Sequence, residues 1–322
     1  MKKMSTYLLA AVLCLYALPI DAMAADYLIP VGQVVGLELR NDTVSVAAFD
    51  DLLGGAARSA GLKIGDEIID IDGKTIDNAE DVRLALERSD GQVRLRILRD
   101  EKEQQLSLTP QITTDGPRLG VYLRQGITGI GTVTWYDPAT GAFGTLGHGV
   151  NNAQGELVEM TSGKAYSASV LSVKQGKCGE PGQLRGGVDG QQALGDLKKN
   201  TQRGVFGSTD TPWDGEAMEV AACNEIRTGA ATIRSTISGK EVREYSVEIL
   251  KIYPEKRQEG RNMLIRVTDP ALLQATGGIV QGMSGSPILQ DGKLVGAVTH
   301  VLVNDPTTGY GIFIENMLDA AA

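Results

Sequence analysis

The chain has 322 residues, a formal net charge of −9, 40 glycines and 5% aromatic residues. That length gives room for one large or two ordinary domains, and the glycine-rich, aromatic-poor composition favours short strands and tight turns. The acidic balance, without a basic stripe or basic–aromatic interleaving, argues against a nucleic-acid partner and suits a solvated surface.

Lys2 and Lys3 precede a short apolar run, Tyr7 to Leu18, and Ala22-Met23-Ala24 has the small-x-small form of a cleavage site. Residues 1–24 therefore read as an export signal. The run is short for a spanning helix, which needs about 20 apolar residues; an uncleaved membrane anchor is the alternative. No later segment could cross a bilayer as a helix, so the rest is expected to fold outside the cytoplasm. Cys14 would leave with the signal, and Cys178 and Cys223 could pair there or stay as thiols. No ligand spacing suits a metal, and none is expected.

Residues 26–112 read as a separate small module. Val34 to Leu39 and Thr43 to Phe49 are strand-like, Ala56 to Gly61 is a short helix, and Glu67 to Ile71 is a strand running into an Asp72-Gly73 turn. Asp77 or Asn78 can cap a helix from Ala79 to about Arg88, with Ala79, Val82, Ala85 and Leu86 on one face. Val93, Leu95 and Ile97 alternate with Arg94 and Arg96, and Gln104 to Leu108 closes the unit. Ala60-Gly61-Leu62-Lys63-Ile64-Gly65-Asp66-Glu67-Ile68 followed by Ile71-Asp72-Gly73-Lys74 resembles a PDZ domain. Such domains bind extended peptides by adding a strand to a sheet edge beside a helix. The resemblance puts Val35, Gly36 and Leu37 at the carboxylate-binding loop; a brace without a free peptide ligand is the other reading.

Gln111 to Pro117 is polar and turn-rich, the expected boundary to a second domain over 117–322. From there short Val/Ile/Thr-bearing runs are separated by Gly, Pro and Asn, which reads as a sandwich or barrel. Helical period is absent apart from a terminal turn at Glu315 to Leu318.

The chemistry gathers at Gly282-Met283-Ser284-Gly285-Ser286-Pro287. A glycine two residues before Ser284 and another just after it allow a tight turn that aims the Gly282 and Ser284 N–H groups at one point, where an oxyanion could sit. A serine needs a base, and the chain holds two histidines. His148, between Gly147 and Gly149, is the accessible one, and the span from it to Ser284 suits two consecutive six-stranded barrels. His300, in an apolar strand, reads as a pocket-wall residue. Spacing leaves the triad acid open among Asp189, Asp196 and Asp269.

Three stretches, Thr145-Leu146-Gly147-His148-Gly149, Thr268-Asp269 with Thr276 to Pro287, and Gly296 to Val301 with Asn304 to Gly311, closely resemble the stage IV sporulation protein B (SpoIVB) peptidases. The resemblance runs from the export segment to the C-terminus. It implies a mainly β fold: a trypsin-like double β-barrel preceded by a small α+β PDZ domain. It implies a triad of His148, Asp269 and Ser284, with Asp196 in reserve for the acid, and no cofactor. Thr299, His300 and Val301 would wall the substrate pocket, and their lack of a buried acid gives no demand for Lys or Arg before the cut bond. The family is secreted into the space between the two membranes of the developing spore. There its members cleave the extracytoplasmic part of a membrane-bound regulatory protein, which activates an intramembrane protease and a late sigma factor, and they also cut themselves. The expected partners are thus a protein substrate near a membrane and a PDZ peptide that could be internal. The alternative is a non-catalytic PDZ signalling adaptor with a protease-like barrel.

Overall fold

In the computed structural model of the protein, which describes residues 27–152, 155–254 and 260–322, Val34–Phe49 is one 16-residue strand that serves two bodies. The expected export segment, 1–24, lies outside the described residues. The first half of the strand, Val34 to Leu39, is paired on one edge with Ser162–Lys174 and on the other with Val121–Tyr136. Its second half pairs Val44 with Ile68 and stays beside Val121 to Gln125.

The first body is a closed ring of six strands. Going round it, Val34–Phe49 is followed by Val121–Tyr136, Ala142–Thr145, Gly204–Ser208, Gln183–Thr201 and Ser162–Lys174, which returns to the first. Period-2 alternation sends Val35, Leu37 and Leu39 inward to Val133, Phe143, Leu146 and Val205. The second body is a closed barrel of Gly229–Ser238, Glu241–Ile252, Met263–Val267, Asp305–Phe313, Lys293–Leu302 and Pro287–Gln290. Its core of Ile233, Val247, Ile265, Ile288 and Val298 is continuous with Val34, Ala168 and Leu184 of the first barrel, so the two pack on each other. The C-terminal Ile314–Ala321 is a helix rather than a single turn; it buries Ile314 and Met317 with Trp135, Phe206 and Leu294, which straddle the two barrels.

The small module is the third body. The helix Ala79–Glu87 is capped by Asn78, whose Oδ1 accepts from Asp81 N at 2.9 Å. Val82 and Leu86 on its inner face pack with Val44, Ile68, Leu95 and Ile97. Arg99 grips the buried Asp66 through Nε and Nη2 at 2.6 and 2.7 Å, the two-pronged geometry that makes arginine–carboxylate pairs strong.

Two expectations are corrected here. The module does not precede the barrels with a linker at 112–117. It is inserted into the first barrel: the chain enters it after Leu39 and leaves it past Gln125, where the register of the paired strands slips. Gln111–Thr113 and Gly116–Arg118 form a hairpin, and the polar, turn-rich composition that suggested a linker is what a hairpin tip also requires. Nor do Val35, Gly36 and Leu37 form a carboxylate-binding loop. Both edges of their strand are already paired within the barrel, so no peptide can add there. The free edge next to a helix is at Val121 to Gln125, where a groove of about 570 Å³ runs between Val82, Arg83 and Leu86 on one wall and Arg118 to Leu123 on the other.

Candidate active site

Both barrels hold the Gly282–Pro287 turn. From the first, Thr132 donates its N–H to Ser284 O at 3.1 Å and its hydroxyl to Gly282 O at 2.9 Å. Thr134 donates its hydroxyl to Gly285 O at 2.7 Å. From the second, Val298 O accepts the Gly285 N–H at 2.8 Å, and the Ser286 hydroxyl donates to the buried Ser235 Oγ at 3.0 Å. The carbonyls of Gly282, Ser284 and Gly285 are thereby taken up. The N–H groups of Gly282 and Ser284, both half-buried, have no acceptor among the described residues. Two neighbouring amide donors left in this state suit a developing negative oxygen. Gly282 and Gly285 sit at φ +99° and +94°, a region that favours glycine.

Ser284 Oγ donates to Thr299 O at 2.8 Å. The next residue on that strand, His300, faces His148, with ring centroids 5.3 Å apart and planes inclined at 40°. Ser284 and His148 thus flank the strand Lys293–Leu302 at adjacent positions. His148 follows Leu146 and Gly147, both at φ +68°, a left-handed pair in which the non-glycine Leu146 is strained. The ring's Nδ1 lies 2.9 Å from Gly149 O. A carbonyl only accepts, so Nδ1 carries the hydrogen and Nε2 holds the lone pair of a base. Burial pushes His148 below the usual histidine range, opposed by its bond to the Gly149 carbonyl. The base is therefore neutral and ready at neutral pH.

His300 is pushed down to about 4, first by burial and then by the charges of His148 and Arg261. Its Nδ1 is buried and has no hydrogen-bond partner among the described residues. The folded protein thus resists a proton that the unfolded chain takes up near pH 6.5. Stability should fall as pH drops from about 6.5 to about 4, by about 1–2 kcal/mol from this half-buried group once solvent screening is allowed for. Urea unfolding at pH 7 and pH 4.5 checks this, with His300→Gln expected to reduce the difference and His148, also lowered by burial, to account for part of what remains.

The structure does not bring the predicted acid to the base. Asp269 is the N-cap of the helix Pro270–Thr276: its Oδ1 accepts from Ala271 N and Leu272 N at 2.9 and 3.0 Å, and Oδ2 from Ser246 N at 3.4 Å. Asp followed by Pro is itself a cap-and-first-turn signature, so the position in sequence had a second explanation. The reserve, Asp196, is bonded to Lys164 at 3.0 Å, and Asp189 to Ser169 and Lys240. Among the described residues no carboxylate lies within hydrogen-bond or ion-pair reach of the His148 ring, and the Gly149 carbonyl takes the orienting position. Asp269→Asn keeps an oxygen for the same cap, so kcat/KM measured on a peptide substrate should stay within about threefold of wild type.

Of the expected pocket wall, Thr299 turns its hydroxyl into the protein, where it can donate to Gly260 O or Tyr310 O, and only its carbonyl meets Ser284. His300 and Val301 are half-buried beside it. Sequence reasoning missed Thr132 and Thr134, both 0% exposed. The available signal was threonine at alternate positions of a strand whose other residues, Val133 and Trp135, are apolar. Thr132→Val keeps the shape and removes the bond to Gly282 O, a loss of about 1 kcal/mol. Steady-state kinetics should show kcat down about fivefold to tenfold, with the unfolding midpoint lowered only by what that loss of about 1 kcal/mol accounts for. The thiols of Cys178 and Cys223 are free and exposed. No group of three or more metal-binding side chains occurs among the described residues, and no helix there is long and apolar enough to cross a membrane.

Comparison with known proteins matches residues 115–318 to the SpoIVB peptidase S55 family and residues 53–99 to the PDZ domain. No individual curated protein matches. Similar solved structures include the inactive form of the Rv3671c protease, 14% identical over 61% of this chain and 82% of that one at a TM-score of 0.35. The active form of the Rv3671c protease from M. tuberculosis is 14% identical over 74% of this chain and 82% of that one at a TM-score of 0.36.

Proposed function

Because the chain belongs to the SpoIVB peptidase S55 family and is a serine endopeptidase, we propose that it works with His148 as general base and Ser284 as nucleophile. The observation that carries this assignment is the pair of amides at Gly282 and Ser284 that have no acceptor among the described residues, next to a histidine whose Nδ1 bond to Gly149 O leaves Nε2 as the base. The Ser284 hydroxyl turns from Thr299 O to His148 Nε2 as substrate enters. The imidazole takes its proton while Oγ attacks the carbonyl carbon, and the two amides receive the oxyanion. His148 then protonates the leaving amine, and a water deprotonated by the same ring hydrolyses the ester.

The biological reading follows the family. The enzyme is exported during spore formation, cuts a membrane-associated regulatory protein in the space between the spore membranes, and so triggers intramembrane-protease-dependent activation of a sigma factor. Self-cleavage near the N-terminus releases it from the membrane. The Lys2/Lys3, apolar-run and Ala22-Met23-Ala24 pattern supports export. The groove beside Ala79–Glu87 supports an extended peptide ligand, from this chain or from the substrate. Mass spectrometry of the N-terminus tests the processing: full-length Ser284→Ala should stay uncut where wild type is shortened, and equal shortening of both would refute self-cleavage.

A further inference from the structure

A second cavity reaches toward the nucleophile turn through Leu184, which lines it and packs against Gly282. It has a volume of about 650 Å³, within the range of about 300–1,000 Å³ typical of ligand sites, and lies on the outer face of the first barrel. Its floor is the paired strands at Gly36 and Ile130, and its cover is the Gln183–Gly190 stretch. Glycine makes the room: a side chain at Gly36 would run into Val188, and one at Gly186 would press on Ile130.

The cavity is joined to the catalytic turn at two points. Ile130 is two residues from Thr132 and on the same face of the strand, and Thr132 holds the carbonyls of Gly282 and Ser284. Leu184, 1% exposed, lies 3.0 Å from where a Cβ on Gly282 would be, and its N–H donates to Gln281 O at 2.8 Å. Ser284 is thus flanked by Thr299 on one side and by Thr132 with this cavity on the other. A peptide whose carbonyl oxygen sits on the Gly282 and Ser284 amides, with its N-terminal half along Thr299–Val301, must carry its C-terminal half toward Thr132. The surfaces it meets are Ile130 and Val188, the latter 49% exposed, above the buried Leu184.

We propose that this cavity receives the substrate residues that follow the scissile bond and selects apolar side chains there. The assignment rests on the peptidase reading. Apolar burial supplies its preference: a leucine-sized side chain moved from water gains about 1.5–3 kcal/mol, whereas an aspartate gives up hydration for a lining that sets the carboxylate of Glu38 against the guanidinium of Arg185.

Two substrates separate the claims, both used with the full chain. A thioester has no residue after the bond that breaks, and a pair of peptides differs only in Leu or Asp at the two positions after the cut. Wild type should hydrolyse the thioester and prefer the Leu peptide at least tenfold in kcat/KM. Val188→Glu should leave thioester hydrolysis within about twofold and reduce the Leu/Asp ratio at least tenfold. Should the Glu variant fail to fold, Val188→Ala serves: its larger cavity should move the preference from Leu toward Phe. Thioester hydrolysis with an unchanged ratio overturns the cavity assignment alone. No thioester hydrolysis by the folded wild type overturns the peptidase reading, and this assignment with it.

Discussion

Ser284→Ala is expected to lower kcat/KM on a peptide substrate by about four to six orders of magnitude, and adding His148→Ala to it should cost almost nothing more. The two groups act as one unit: a nucleophile without its base and a base without its nucleophile are equally idle. The residual rate should be that supplied by the Gly282 and Ser284 amides and by binding. His148→Ala alone should fall nearly as far, because no other base is at hand; His300 is the one neighbouring imidazole, and burial holds it well below the pH at which His148 works. Single-turnover kinetics on the two single variants and the double variant would check this. Additive losses would mean that the two residues serve separate steps.

Gly285→Ala should abolish activity by a different route. At φ +94° the residue lies in the left-handed region, and a Cβ there would overlap the Thr132 carbonyl oxygen and crowd the Leu146 amide, both backbone groups. Neither can give way cheaply. Thr132 is tied to Ser284, and Leu146 to Thr132, so the strain reaches the nucleophile turn and the His148 loop together. A loss of at least about 3 kcal/mol of stability is expected, read by denaturant unfolding, with peptidase activity below detection. Ser286→Ala is the control: it removes one buried hydroxyl bond to Ser235 and should cost about 1–2 kcal/mol while retaining activity.

The parts of this fold that were legible in the sequence are those set by local chemistry. The helix Ala79–Glu87 shows its cap and its apolar face, and Val93 to Ile97 shows the alternation of a half-buried strand. The double barrel was legible from turn-punctuated strands and from the span between His148 and Ser284. What local chemistry does not encode is which strand pairs with which. Val34–Phe49 looks like two strands of one small module, yet its first half is a wall of the catalytic barrel. Its alternation is the same in either place, so only the long-range pairing to Ser162–Lys174 decides. The same holds at the site. The Gly282 to Gly285 spacing announces a turn, but Thr132 and Thr134 reach it from about 150 residues away in sequence, and nothing near them marks the role. Asp269 is the converse case, a residue placed by resemblance in the triad and by its hydrogen bonds at a helix start.

The central claim is that Ser284 is an activated nucleophile beside His148. The most direct measurement is labelling of the folded protein with a fluorophosphonate, with the adduct located by peptide mass spectrometry. A single phosphonyl adduct on Ser284, lost in His148→Ala and retained in Asp269→Asn, is the predicted result. An unlabelled Ser284 in the folded wild type would contradict the account and leave the barrels as the scaffold of an adaptor.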